Sequence, residues 1–212
     1  IAWTYGSATD WAGIDETTIP GFTELAPTLC ILGSTQPVDI SIHRFEALAA
    51  ALGADVKTAE VQAAKTAFDT ACQAVRDAVA EKPGLLALAA SPDDQIFYLG
   101  NAQVASDLVL FHNLGLQFVE LESPNMEFLG GLWQELSWEE VSNFQADLYL
   151  MDDRPYAMTR EDLLAQPTFA MLPAVQAGQI SSWTVEYITS YVGFTPILTT
   201  LAEAISTAEV VS

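Results

Sequence analysis

The sequence is poor in positive charge and contains no long apolar run. Among its 212 residues, seven Lys and Arg stand against 28 Asp and Glu, which gives a formal net charge of −21. A surface of this charge repels phosphate backbones, which argues against nucleic acid as a partner, and it would tolerate a cationic or neutral ligand. No apolar run reaches the roughly 18 residues that a membrane-spanning helix needs, and no basic–apolar leader opens the chain.

Residues that carry catalysis or bind metals are scarce as well. Cys30 and Cys72 match no zinc-ligand spacing, so a disulfide and two buried thiols both remain open. His43 and His112 lie far apart in predicted helices, which gives little support to a triad or an imidazole-rich metal site. Nucleophile-elbow, phosphate-loop, dinucleotide-binding and zinc-protease motifs are all missing. We therefore expect no enzyme activity, no resident metal and no cofactor.

The clearest predicted element is a long helix over residues 59–82. No Gly or Pro interrupts this segment before Pro83, and its length of about 36 Å at 1.5 Å per residue is enough to bridge two lobes. Apolar residues recur in it at three- and four-residue steps, namely at Val61, Ala64, Phe68, Cys72, Val75 and Val79.

Beyond Pro83, strands and helices alternate regularly. The predicted strands are 85–90, 95–99, 117–121, 147–151 and 179–183. The predicted helices are 101–114, 138–144, 159–166, 168–176 and 190–206. This alternation predicts an α/β lobe with a mainly parallel sheet between helices.

The first segment, residues 1–57, contains too few strands to form a lobe by itself. It offers strands at 1–6 and 28–32, a loop through Pro20, and a helix that begins at Asp39 or Ser41 and ends at Gly53. The predicted division is therefore 1–57 as the end of a first lobe, 58–82 as a connecting helix, and 83–212 as a complete carboxyl-terminal lobe.

Ligands of open α/β sheets bind beyond the carboxyl ends of the strands, and the sequence places aromatic residues there. Aromatic faces with one guanidinium suit a large, partly apolar ligand that carries oxygen acceptors. The candidate ligand contacts are Arg154, Trp133, Tyr98, Tyr156 and Asn101, faced from the first segment by Trp3 and Tyr5.

Two of these candidates carry specific expectations. Trp133 belongs to the predicted loop 123–136 beside Gly130 and Gly131, which favours exposure to a cleft. For Arg154, ligand contact and a salt bridge to Asp152 or Asp153 remain equally open, and these two carboxylates are expected at a solvated loop end.

Several segments, taken in order, resemble one known family. They are GFTELAPTLCI, the long helix, FYLGNAQVASDLVLFHNLG, LSWEEVSNFQADLYLMDD and QPTFAMLPAVQAGQISSW. Together they resemble periplasmic iron–siderophore binding proteins, the helix-linked group that also includes cobalamin and haem binders.

The resemblance implies two α/β lobes joined by one long helix, with a ferric chelate held between them and passed to the permease of an ABC importer. It also implies an extracytoplasmic protein whose first strands and lipid anchor precede Ile1. The family docks on its permease through an acidic residue in a short S-x-E helix, here Glu139 after Ser137, with Ser137 as the expected N-cap.

Three alternatives stay open at this stage. The first is an α/β enzyme such as a hydrolase, and the second is a haem or cobalamin binder of the same fold. Tyr98 or Tyr187 would be available as an axial haem ligand. The third is an interaction domain that has lost ligand binding.

Overall fold

The computed structural model describes residues 2–4, 14, 17–124 and 131–211. The strands of these residues are β1 Ala2–Thr4, β2 Cys30–Leu32, β3 Leu86–Ala90, β4 Ile96–Gly100, β5 Gln117–Phe118, β6 Trp133–Ser137, β7 Leu148–Asp152 and β8 Ile180–Trp183. Their α-helices are α1 Ile19–Leu25, α2 Val38–Ala51, α3 Ala59–Glu81, α4 Ser106–Asn113, α5 Arg160–Ala165, α6 Pro167–Ala170, α7 Pro173–Gln176 and α8 Tyr191–Thr207. A short 3-10 helix covers Glu140–Asn143.

The larger sheet has the strand order β6-β4-β3-β7-β8, and β5 pairs with the beginning of β3. The pairings of β3 with β5, β3 with β7, and β7 with β8 are parallel, whereas β4 runs antiparallel to both β3 and β6. The α/β class is confirmed, but the sheet is more mixed than the sequence predicts.

The mixed character begins with the hairpin between β3 and β4. The connection is too short for a crossover, which needs a dozen or more residues. In its turn, the carboxylate of Asp93 accepts the backbone N–H groups of Gln95 at 2.8 Å and Ile96 at 2.7 Å. These bonds reverse the chain, so consecutive strands pair directly.

Strand β6 corrects the predicted loop 123–136. Its residues pair with β4 along its whole length, from Trp133 opposite Gly100 to Ser137 opposite Ile96. Trp133 and Leu136 are both buried, but they contact the cores on opposite faces of the sheet. The two preceding glycines and the polar residues Gln134 and Glu135 made this segment look like a loop.

Helix α4 begins five residues later than predicted. Asn101 folds the preceding residues into a turn, because its side-chain oxygen accepts the N–H of Gln103 at 2.9 Å and its carbonyl accepts that of Val104 at 3.0 Å. Helix geometry then starts at Ser106.

Helices cover both faces of the sheet, with α3 and α8 on one side. The predicted long helix is confirmed as one continuous element, begun by Thr58, whose hydroxyl accepts the N–H of Val61 at 3.3 Å. Residues of α3 and α8 share one apolar core with α2 and α4 and with the β3 and β7 side chains on that face. The apolar stripe of α8 is buried in this core and consists of Tyr191, Phe194, Leu198, Leu201 and Ile205.

The opposite face of the sheet packs against the 3-10 helix and α5 to α7. Trp138 and Phe144 lie in this second core. Thr159 and Asp162 form a capping box at the start of α5. Alternating side chains of β7 divide between the two cores, with Leu148 and Leu150 on one face and Tyr149 and Met151 on the other.

The first segment attaches to α3 and to the carboxyl-terminal lobe. Strands β1 and β2 form a separate parallel pair, and α1 begins at the end of the predicted loop and covers residues for which no element was predicted. Helix α2 precedes Gly53, whose φ of +94° suits glycine. Glu46 of α2 accepts a hydrogen bond from Lys65 of α3 at 2.6 Å and one from the hydroxyl of Tyr191 at 2.7 Å.

The two cysteines lie in different parts of this assembly. Cys30 is in β2 and Cys72 is buried in α3, and they are not bonded to each other. Burial raises the pKa of the Cys72 thiol to about 11.

Candidate ligand-binding cleft

Two adjoining cavities lie beyond the carboxyl ends of β3, β7 and β8. Their volumes are about 550 and 520 Å³. They share the lining residues Leu132, Trp133, Val185 and Glu186, so together they form one surface, called the cleft below. Sites for small molecules typically enclose about 300–1,000 Å³, so the cleft can hold a ligand of several hundred daltons.

The first segment reaches the rim of the cleft. Gly33 lines the first cavity, and its carbonyl accepts the hydroxyl of Ser106 at 2.6 Å. Ser34 pairs with Ala105 in an isolated antiparallel bridge, and the N–H of Thr35 donates to the carbonyl of Val104 at 2.8 Å. The cleft is therefore located where the first segment meets the carboxyl-terminal lobe.

Four aromatic side chains, Tyr98, Trp133, Trp183 and Tyr187, form what we call the aromatic wall of the cleft. Ring centroids lie 6.3 Å apart between Tyr98 and Trp133 and 5.7 Å apart between Trp133 and Trp183, both in edge-to-face arrangements. Tyr187 packs edge-on against Phe194 of α8, with centroids 4.9 Å apart. Such contacts hold the rings in fixed orientations, which leaves the wall preorganised.

Gly100 makes room for the aromatic wall. A Cβ atom at this position would lie 2.8 Å from Cη2 of Trp183 and 3.2 Å from the side chain of Leu108. Because Gly100 pairs with Trp133 across the β4–β6 ladder, its missing side chain lets Trp183 reach across the sheet towards Trp133.

Asp107 holds Trp183 from beneath. The indole N–H of Trp183 donates to Oδ2 of Asp107 at 2.6 Å, and Asp107 itself is buried in the first turn of α4. Burial raises the pKa of Asp107 to about 6, although hydrogen bonds from Trp183 and from the backbone N–H of Leu108 favour the ionised form. This carboxylate lines the cleft and fixes one of its rings.

Arg154 is tied to Asp152. Its Nε atom donates to both carboxylate oxygens, at 3.0 and 2.8 Å, and its Nη2 atom donates to Oδ2 at 2.5 Å. The hydroxyl of Ser91 also donates to Asp152, at 2.5 Å, and accepts from Nη2 of Arg154 at 3.1 Å. Arg154 therefore forms the salt bridge to Asp152 that was one of its two predicted roles. The same side chain also lines the cleft.

Asp152 is buried, contrary to the expectation of a solvated loop end. Its side chain is only 1% exposed, and that of Arg154 is 21% exposed. Burial works to raise the pKa of Asp152, but hydrogen bonds from Arg154 and Ser91 outweigh it and hold that pKa below its ordinary value. The hydrogen bond to Asp152 in turn raises the pKa of Arg154. Asp153 is exposed and accepts the hydroxyl of Thr184 at 2.7 Å.

Tyr156 and Glu186 lie at the mouth of the cleft. The hydroxyl of Tyr156 donates to Oε1 of Glu186 at 2.8 Å, and Nη1 of Arg154 donates to the same oxygen at 3.4 Å. The guanidinium of Arg154 lies 4.9 Å from the ring centroid of Tyr156. Both Tyr156 and Glu186 stay largely exposed, with 70% of the residue and 67% of the side chain accessible, respectively.

The structure brings four of the predicted ligand contacts together, because Arg154, Trp133, Tyr98 and Tyr156 all line the cleft. Trp133 lines the cleft from strand β6 and not from the predicted loop. Asn101 lines neither cavity. Its side-chain amide instead donates to the carbonyl of Gly131 at 2.8 Å, which supports the residues just before Trp133.

The two candidates from the first segment have different outcomes. The backbone of Trp3 lies in β1, opposite Ile31 of β2. Tyr5 lies outside the described residues.

Glu139 is exposed, but its local structure differs from the prediction. Ser137 ends β6 and does not cap a helix, and the 3-10 helix begins only at Glu140. The physical reason is that Ser137 pairs with Ile96 in the β4–β6 ladder, which keeps its backbone in the strand. The carboxylate of Glu140 accepts both the N–H and the hydroxyl of Ser137, at 2.8 and 2.7 Å. Glu139 therefore precedes the helical turn, and no hydrogen bond or ion pair of its carboxylate with the described residues occurs.

Several residues that line the cleft were not among the predicted contacts, and four of them, Asp107, Trp183, Glu186 and Tyr187, carry aromatic or acidic side chains that shape it. Trp183, Glu186 and Tyr187 follow a strand end that the sequence does locate, so their positions were available as a signal. Asp107 carried no such signal, because the sequence places it inside the predicted helix 101–114, where a charged residue is ordinarily expected on the solvent face.

Among the described residues, no group of three or more His, Cys, Asp or Glu side chains is placed to hold a metal ion. No helix within the described ranges is both long and apolar enough to cross a membrane.

A carboxyl-terminal α/β lobe, a long helix packed against it, and an aromatic cleft where the first segment meets that lobe define a solute-binding protein of the helix-linked type. The family described as periplasmic binding protein matches residues 23–187, and the chain belongs to this family. Membership implies an extracytoplasmic protein that binds a solute.

Solved structures agree with this assignment. DesE, a ferric-siderophore receptor protein from Streptomyces coelicolor, is 36% identical, with a TM-score of 0.86 over 100% of this chain and 70% of its own. The siderophore periplasmic binding protein from the fuscachelin gene cluster of Thermobifida fusca is 17% identical, with a TM-score of 0.62 over 91% of this chain and 71% of its own. FhuD2 from Staphylococcus aureus with bound ferrioxamine B is 14% identical, with a TM-score of 0.60 over 90% of this chain and 73% of its own. The last two show the fold alone, and no curated protein matches the chain significantly.

Proposed function

We propose that the protein binds a ferric siderophore or a similar ferric chelate in the cleft and delivers it to the permease of an ABC importer, without chemical turnover. The observation that carries the proposal is the preorganised aromatic wall beside Arg154, at the junction of the two segments. Ring faces suit the apolar arms of a large chelate, and the remaining guanidinium N–H groups suit its oxygens. The 36% identity to DesE, described as a ferric-siderophore receptor, supports the same ligand class.

Within this proposal, the ligand contacts are the aromatic wall together with Arg154 and Tyr156. Trp3 and Tyr5 would face them from the first segment. Asn101 acts as a positioning residue that holds Gly131. The same proposal assigns residues 1–57 to the first lobe, 58–82 to the connecting helix and 83–212 to the second lobe.

Fluorescence titration tests the binding. A ferric chelate absorbs near the tryptophan emission band, so a bound chelate is expected to quench Trp133 and Trp183. Trp133→Phe should lose a large share of this quenching. Trp138→Phe is the matched control, because Trp138 is equally buried but lies in the core on the opposite face of the sheet.

The outcome that would end the proposal is clear. Absence of quenching by hydroxamate, catecholate and citrate-type ferric chelates alike would exclude chelate binding. Recovery of a modified chelate after incubation would instead favour the enzyme alternative, whereas quenching by haem or cobalamin alone would favour that branch of the family.

We also propose that Glu139 is the acidic residue of this lobe that contacts the permease. Its carboxylate is exposed, whereas that of the adjacent Glu140 is engaged by Ser137. The two residues thus form a matched pair for mutagenesis. Glu139→Ala should cut ligand-dependent ATPase stimulation in the reconstituted transporter and leave chelate affinity intact. Equal effects of Glu139→Ala and Glu140→Ala would remove the assignment.

A lipid anchor on the full-length protein, which the family resemblance implies, would hold it at the outer face of the membrane. Labelling of the protein in cells with a tagged fatty acid tests this. The absence of label, together with recovery of all of the protein in the fraction that contains no membrane, would contradict the lipid anchor.

A further inference from the structure

The part of the cleft that the structure describes carries little positive charge. All seven Lys and Arg residues of the sequence lie in described parts of the chain, and of these only Arg154 lines the cleft. The others lie on or beside α2, α3 and α5: Arg44, Lys57, Lys65, Arg76, Lys82 and Arg160. Four carboxylates line the same surface, those of Asp93, Asp107, Asp152 and Glu186.

The charge of Arg154 is already compensated. Its Nε and Nη2 atoms are committed to Asp152, whose side chain is 1% exposed and which has no other cationic partner among the described residues. Its Nη1 atom points to Glu186 at 3.4 Å. An anionic ligand at this point would have to compete with Asp152 and approach the exposed carboxylate of Glu186.

A cationic group of a ligand would find favourable partners at the mouth of the cleft. Glu186 is accessible from solvent, and its neighbour Tyr156 presents a largely exposed ring. An ammonium group beside this pair could donate to the carboxylate and lie against the ring face, two interactions that favour positive charge.

We propose that the cleft selects ferric chelates of zero or positive net charge over polyanionic ones, and that Glu186 sets this preference. The inference rests on the proposed function and narrows it. Three hydroxamates neutralise Fe(III), and a pendant ammonium makes the complex cationic, whereas three catecholates leave a trianion. Ferric trihydroxamates therefore fit, and ferric tris-catecholates do not.

One chelate core in three charge forms isolates this effect. The probes are a linear ferric trihydroxamate with a free terminal ammonium, its acetylated neutral form, and its succinylated anionic form. Titration followed by tryptophan fluorescence at low ionic strength should show the ammonium form binding about tenfold more tightly than the succinylated form. Glu186 attracts the first form and repels the second, and each effect is expected to change the affinity by about threefold at an exposed site. High salt should narrow the ratio, because exposed charges are screened.

Variants then locate the effect. Glu186→Gln keeps the hydrogen-bonding shape and removes the charge, so the ratio should fall to about twofold or threefold. Glu203→Gln is the matched control, because this exposed carboxylate of α8 lies outside the cleft. It should leave the ratio unchanged.

The possible failures are distinguishable. Equal or tighter binding of the succinylated form, or of a ferric tris-catecholate, overturns the charge preference while chelate binding itself stands. An unchanged ratio in Glu186→Gln overturns the assignment to this residue. If none of the three forms binds, the proposed function fails and this inference fails with it.

Discussion

Removal of the Arg154 guanidinium should destabilise the fold before it affects any ligand. The substitution Arg154→Ala leaves Asp152 with the hydroxyl of Ser91 and one backbone N–H as its remaining partners. Its carboxylate would stay buried and ionised without a counter-charge. Breaking a buried ion pair from one side costs about 3–5 kcal/mol. Because the guanidinium is 21% exposed and water can partly replace it, we expect a loss of about 2–4 kcal/mol in the free energy of unfolding.

The assay is urea unfolding at pH 7, followed by tryptophan fluorescence. The double variant Asp152→Asn/Arg154→Ala should recover much of the lost stability, because it leaves no unpaired charge. Arg160→Ala serves as the control, since Arg160 is exposed and makes only a 3.4 Å contact with the carbonyl of Ile180. It should change the free energy of unfolding by less than about 0.5 kcal/mol.

The reasoning fails if Arg154→Ala unfolds like the wild type, or if the double variant is less stable than the single one. The double variant also gives the cleaner test of ligand contact. If the guanidinium reaches chelate oxygens, affinity in this background should fall by about 1.5–3 kcal/mol. An affinity equal to that of the wild type would restrict Arg154 to its salt bridge.

Three further predictions concern buried groups. Burial raises the pKa of Asp107 to about 6, so the native state retains a proton that the unfolded state releases above pH 3.8. The contribution of Asp107 to stability should therefore fall by about 3 kcal/mol between pH 4 and 6.5, and Asp107→Asn should remove this part of the pH dependence in urea titrations. Gly100→Ala should cost about 1–3 kcal/mol and shift the emission of the displaced Trp183, and wild-type emission would contradict the predicted clash. Cys72, with a thiol pKa raised to about 11, should react with a thiol reagent at pH 8 only on unfolding, and rapid reaction of the native protein would refute its burial.

The long elements of this fold could be predicted because their signals are local. The apolar stripes of α3 and α8 follow the helical period over many turns, so the repeat is visible without knowledge of any partner. Thr159 and Asp162 form a capping box, another contact between residues three positions apart. Where the determinant lies within one or two helical turns, the sequence is sufficient.

Strand β6 could not be predicted in the same way. Its five residues contain two buried and oppositely directed side chains, Trp133 and Leu136, that contact different cores. Their burial depends on pairing with β4, more than thirty residues earlier in the chain. A short strand with polar residues and glycines before it has no distinct period, and only the tertiary partner makes it a strand.

The pairing of charges in the cleft could not be predicted from the sequence either. A guanidinium at a strand end is compatible with an anionic ligand in any sequence, and the motif DDRPY alone does not say whether the preceding carboxylates point to solvent. The structure turns Asp152 inward, where Ser91 and Arg154 enclose it, and leaves Asp153 exposed. Glu186 comes from the loop after β8 and contacts Arg154 only in the folded protein, where it adds an exposed negative charge at the mouth of the cleft. Residue composition therefore indicates the kind of surface, while the pairing of its charges, which only the fold brings about, decides how much charge that surface presents.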